Sequence, residues 1–120
     1  MAEATHDQRA FPPGEYRVQV APSAIHGRGL FATAPLYAGQ LIAPARTAGL
    51  RTPAGRYTNH GAKPNAVMRA RPDGDIDLFA LRDIAGAHGG QLGEEITIDY
   101  RGAVRAARTS ARALTRAESP

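Results

Sequence analysis

The placement of glycine and proline constrains this chain more than any other feature. All thirteen glycines and eight of the nine prolines fall within residues 1–102, and they cut that stretch into short segments. This argues against a helical bundle and for a fold of short strands joined by turns. Residues 103–119 hold neither residue type. From there the pattern changes: arginines fall at 101, 105, 108, 112 and 116, and Val104, Ala107, Ala111 and Leu114 recur at helical spacing. Both series fit a 3.6-residue period, so an apolar stripe beside an arginine stripe is expected on one C-terminal helix.

Within the punctuated part, alternation marks the strands. Tyr16–Ala21 sets Tyr16, Val18 and Val20 on one face, and Pro22 is expected to stop that strand. Leu30–Ala32 and Leu41–Ile42 read as short strands, the second ended by Pro44, and residues 43–55 as loop. Tyr57–Val67 is polar and irregular, with Val67 and Met68 at its end. Asp75–Leu81 reads as a strand behind the turn Pro72-Asp73-Gly74, with Ile76, Leu78 and Ala80 on one face. Ala85–Gly93 is expected to be a flexible loop, and Glu95–Tyr100 the last strand. The division that follows is a flexible arm over 1–14, one domain over 15–102, and the helix and tail over 103–120.

Charge is unevenly spread. Residues 1–100 carry ten basic and ten acidic side chains, so the net +4 comes from the last twenty, with five Arg and one Glu. Charged residues at 22% and hydrophobic ones at 42% are ordinary for a folded domain and argue against wholesale disorder. Fourteen of the fifteen basic residues are Arg, which reads as the composition of a GC-rich bacterial or phage genome. There is no Cys, which excludes disulfides and Cys-based zinc sites, and His6, His26 and His88 have no ligand partner at metal spacing. No metal is therefore expected. The opening MAEATHDQRAFPPGEYR has no apolar core of signal-peptide length, and no apolar run of about 18 residues occurs. A cytoplasmic chain without membrane contact is expected, with export by another route left open.

Three patches carry chemical information. His26-Gly27-Arg28-Gly29-Leu30 puts two glycines around one residue, where backbone amides can approach a ligand. It lacks the third glycine and following helix of a dinucleotide fingerprint. Thr58–Asn65 (TNHGAKPN) concentrates Asn, His and Asn, which either satisfy buried backbone groups or meet a ligand. Gly93–Tyr100 (GEEITIDY) ends in a tyrosine whose hydroxyl can orient or polarise a reacting group.

In this order, the three patches resemble the SET domain family of S-adenosylmethionine-dependent protein lysine methyltransferases. The resemblance runs through PSAIHGRGLFATAPLYAGQLI, RYTNHGAKPN, LFALRDI and GEEITIDY, and covers most of residues 18–100. It implies a mostly β, β-clip type fold with a C-terminal pseudoknot, plus the helix read above. It implies that S-adenosylmethionine contacts His26, Gly27, Arg28 and Gly29, chiefly through backbone. Asn59 and His60 would hold its amino acid part and adenine, His60 through main-chain groups. Tyr100 would be catalytic, its hydroxyl pointing at the methyl transfer channel, while Pro64 and Asn65 fix the knot. The implied activity is methyl transfer to a lysine amine of a protein substrate.

Several positions depart from the family's pattern. Gly61 stands where Ser is frequent, which loses a hydroxyl and loosens the turn. Ile98 replaces the Phe or Tyr that governs the number of methyls added. Only about ten residues separate Arg46 from Tyr57, where typical members insert some tens that build one wall of the substrate groove. An inactive SET-like binding module is the alternative this shortening supports. A homodimer in which one subunit supplies the missing wall would reconcile the two readings. The arginine face of the C-terminal helix adds an expectation of weak, nonspecific and salt-sensitive nucleic-acid contact.

Overall fold

The computed structural model describes residues 16–118, with side chains in the last helix as far as residue 113. The arm expected over 1–14 lies outside the described residues, as do the side chains of Leu114 and Arg116. The chain runs β1 (Val18–Pro22), β2 (Arg28–Ala32), β3 (Leu41–Thr47), β4 (Leu50–Arg51), α1 (Pro53–Tyr57), β5 (Asn59–His60), β6 (Ala66–Ala70), β7 (Ile76–Ala80), β8 (Glu95–Ile98) and α2 (Tyr100–Glu118). Two four-stranded sheets result, in the orders β1-β2-β8-β5 and β4-β3-β7-β6. This is the mostly β architecture with one C-terminal helix that the sequence led us to expect.

The alternation in β1 does what it implies: Val18 and Val20 turn partly inward and Gln19 outward. β8 is inserted between β2 and β5, antiparallel to the first and parallel to the second. The last strand of the chain thus occupies the interior of its sheet, held on both edges by segments that precede it by tens of residues. Between the sheets lies a core in which Leu30, Leu36, Ile42, Leu78, Ile84 and Ile96 are fully buried. Each such side chain contributes about 1.5–3 kcal/mol through burial.

Four local expectations need correction. Residues 43–55 are not loop: β3 continues through Pro44 to Thr47, and β4 and α1 follow. Pro44 is tolerated because the register of β3 against β7 shifts on both sides of it, where the ladder needs no amide. In α1, Thr52 caps the helix by accepting from Gly55 N at 3.2 Å, and Pro53 takes the first turn, where a missing N–H costs nothing. β6 was not expected; its Ala66–Ala70 pairs along the full length of β7. Within Ala85–Gly93, His88 and Gln91 exchange backbone hydrogen bonds of 2.9 and 3.0 Å, so a tight turn stands there.

Tyr100 opens α2 instead of closing β8. Asp99 supplies the reason: its Oδ1 accepts from Arg101 N at 2.9 Å, which makes it the helix cap. The helix also turns a different face inward than its apolar stripe suggested. Ala106 and Ser110 are buried against the β6–β7 side, whereas Val104 is 52% exposed and Ala111 is exposed. Alanine and serine allow close approach to the sheet, and the Ser110 hydroxyl donates to the buried carbonyl of Gly74 in the β6–β7 turn. Arg105, Arg108 and Arg112 remain on the solvent side.

Candidate functional site

The turn between β1 and β2 is tied down by Ser23. Its Oγ accepts from Ile25 N at 2.9 Å and His26 N at 3.3 Å, and its backbone N–H donates to Gly27 O at 2.8 Å. Gly27 has φ +47°, a conformation that favours glycine. Gly29 is glycine for a different reason: a Cβ there would collide with the Glu95 carboxylate. His26, Gly27 and Arg28 are exposed on the outer side of this turn.

Asn59 links the turn to the end of the chain. It is only 6% exposed. Its Nδ2 lies 3.1 Å from His26 O, 3.2 Å from Arg28 O, 3.2 Å from Ser23 Oγ and 2.9 Å from Glu95 Oε2. Both amide hydrogens are therefore directed at protein acceptors, and Oδ1 is the side-chain atom left to meet a ligand donor. Glu95 also receives the Ser23 hydroxyl, 2.8 Å from each carboxylate oxygen. One cluster of Ser23, Asn59 and Glu95 thereby joins all three sequence patches.

The second half of the Asn-rich segment holds β8. Asn65 accepts from Thr97 N at 2.9 Å and donates to Glu95 O at 2.9 Å, so its side chain pairs with β8 as a neighbouring strand would. Asn65 is buried, in keeping with the structural role expected of it. Gly61 N donates to Ile98 O at 3.1 Å. A Cβ at Gly61 would stand 2.7 Å from Thr97 Cβ, so this glycine tightens the crossing and does not loosen it.

His60 and Tyr100 meet directly. Tyr100 N donates to His60 Nδ1 at 3.1 Å, and the rings lie 5.3 Å apart, tilted by 58°. The His60 side chain thus satisfies one orphan amide of α2 while Asp99 satisfies another. The hydrogen bond from the Arg101 side chain, followed by that from its backbone, holds the Asp99 carboxyl below its ordinary range.

Beside Tyr100 opens a cleft of about 320 Å³ between the start of α2 and the β3–β4–α1 edge. Ile98, Met68 and Ile76 line it, together with Arg46, Arg51 and Arg56. Gly55 lets α1 lie flat on β3, since a Cβ there would strike the carbonyl of Ala45. The Tyr57 ring is flanked by the guanidinium groups of Arg28 at 5.9 Å and Arg56 at 5.6 Å. Tyr100 itself is 49% exposed.

The structure brings His26–Gly29, Asn59, His60 and Tyr100 into one connected region. Sequence reasoning missed Ser23 and Glu95, which organise it, and the arginines of the cleft. Glu95 has a signal in the GEE that opens β8; Arg46, Arg51 and Arg56 have none, since the first two fall in the stretch 43–55 that reads as loop and Arg56 just beyond it. Among the described residues, no group of three or more His, Asp or Glu side chains is placed to hold a metal ion. No helix among them is long and apolar enough to cross a membrane.

Comparison with known families agrees with this geometry. A family model described as SET domain matches residues 45–101, from Ala45 on β3 to Arg101 in the first turn of α2. This match supports membership of the SET domain family, and β1 and β2, which precede the matched span, complete the sheet that holds β8 and β5. Members of this family are mostly S-adenosylmethionine-dependent methyltransferases. A search of curated proteins finds no match to the chain.

Proposed function

We propose that this protein is a protein-lysine N-methyltransferase that uses S-adenosylmethionine. The observation that carries the reading is the contact between Tyr100 and His60 at the mouth of an apolar cleft, joined through Asn59 to the glycine turn. The residues present suit the cofactor. Gly27 has open space where a Cβ would stand, the Asn59 Oδ1 is an acceptor for an ammonium, and Arg28 is a cation for a carboxylate. His26, Gly27, Arg28 and Gly29 would hold the cofactor from the turn, with Asn59 and His60 on its other side. When bound, it supplies an electrophilic methyl group on a sulfonium.

The protein's own part is mainly positional. The apolar lining at Ile98, Met68 and Ile76 desolvates an entering lysine, which favours its neutral, nucleophilic amine. The Tyr100 hydroxyl orients that amine. The backbone that carries it is held by the Asp99 cap and the His60 acceptor at the start of α2. The test is methyl transfer from a labelled donor to lysine-containing proteins by the wild type and by Tyr100→Phe. Transfer that the substitution lowers by about 100-fold supports the reading. A folded protein that methylates nothing supports an inactive binding module in its place.

A further inference from the structure

We infer that the lysine this site accepts lies in an acidic stretch of polypeptide, one with Asp or Glu on both sides of it. The inference rests on the methyltransferase reading, since it assigns the substrate of the same Tyr100 cleft. On one side of Tyr100 the cleft is lined by Arg46, Arg51 and Arg56. On the other, a groove along α2 is lined by Arg101, Arg105 and Arg108 together with Tyr100 and Val104. Tyr100 and Val104 belong to both surfaces, so arginines flank the reacting position on either side. Among the described residues, neither lining includes an aspartate or glutamate. Asp99, the nearest carboxylate along the chain, pairs with Arg101 at 3.1 Å and offsets that one cation, so the charge of this groove comes from Arg105 and Arg108.

Such a field acts on a substrate in two ways. It repels a polypeptide rich in Lys and Arg, because like charges within about a Debye length of 8–10 Å are not fully screened. It also attracts flanking carboxylates, which guanidinium groups can grip bidentately. The apolar floor favours polypeptide over nucleic acid. Ile98, Met68 and Ile76 match the methylene stem of a lysine, and the Tyr57 ring, an aromatic face of the kind that stacks on bases, is already flanked by Arg28 and Arg56.

The test uses the full chain and three fluorescent peptides, each with one central lysine, flanked by Asp and Glu, by Ser and Ala, or by Arg. Binding is read by anisotropy, and methyl transfer by mass spectrometry with S-adenosylmethionine present. The acidic peptide is expected to bind at least about tenfold tighter than the neutral one, with a preference that shrinks as salt rises. Arg105→Ala with Arg108→Ala, both on the exposed face of α2, should erase most of that preference and leave the neutral peptide unaffected. Arg46→Gln provides a second, independent variant inside the cleft. Basic and acidic peptides bound or methylated equally would overturn the inference. So would arginine variants without effect, or a short single-stranded oligonucleotide that outcompetes the acidic peptide. Acidic peptides bound but never methylated would uphold the docking surface and refute the enzyme; methyl transfer without flank preference would do the reverse.

Discussion

Replacing Asn59 probes the joint on which the whole site depends. Two amide hydrogens serve a cluster of acceptors: the carbonyls of His26 and Arg28, the Ser23 hydroxyl and the Glu95 carboxylate. Asn59→Ala removes one charge-assisted bond, at about 1.5–3 kcal/mol, and one neutral bond, at about 1 kcal/mol. The expected loss is about 3 kcal/mol, a large share of the 5–15 kcal/mol typical of a domain. At roughly 3–4 °C per kcal/mol for a chain of this length, Tm should fall by about 10 °C. Asn59→Asp has the same shape and should do worse. It sets a second carboxylate about 3 Å from Glu95, and at an effective dielectric near 20 the repulsion is several kcal/mol. Thermal denaturation followed by circular dichroism decides. An Asp variant as stable as the Ala variant, or an Ala variant within about 2 °C of wild type, would refute the assignment of Asn59 as a donor to this cluster.

Other perturbations separate structural from chemical roles. Gly61→Ser should lower stability by about 1–3 kcal/mol, because its Cβ meets buried Thr97 at 2.7 Å; an unchanged Tm would contradict that packing. Asp99, held below its ordinary value by Arg101, contributes stability that is present above that value and lost as pH falls through the lowered one. Acidification should therefore weaken the start of α2 in the wild type, and far-UV circular dichroism should find a smaller acid-induced change in Asp99→Asn.

Much of the site was legible because its motifs are local and their order is distinctive. Asn59, His60 and Tyr100 lie together, and the pattern over Glu95–Tyr100 marked the strand beside them, although that strand ends at Ile98. What escaped depended on contacts between distant segments. The inward face of α2 is not written in a helix so rich in alanine; it is chosen by the Gly74 carbonyl that Ser110 reaches. Pro44 looked like a stop because a single strand does not reveal where its ladder will shift register. The arginines of the cleft come from β3, β4 and α1, and the five-residue spacing of Arg46, Arg51 and Arg56 fits neither the strand nor the helix period. Asp99 just before a helical repeat is a cap signal that could have moved Tyr100 from strand to helix.

Amide-resolved NMR during titration with S-adenosylmethionine tests the central claim most directly, because it reports binding and location together without a substitution. The prediction is saturable shifts at His26–Gly29, Asn59–His60 and Tyr100, with the β6–β7 turn undisturbed. A folded chain whose spectrum does not change, or whose shifts lie away from the glycine turn, would contradict it.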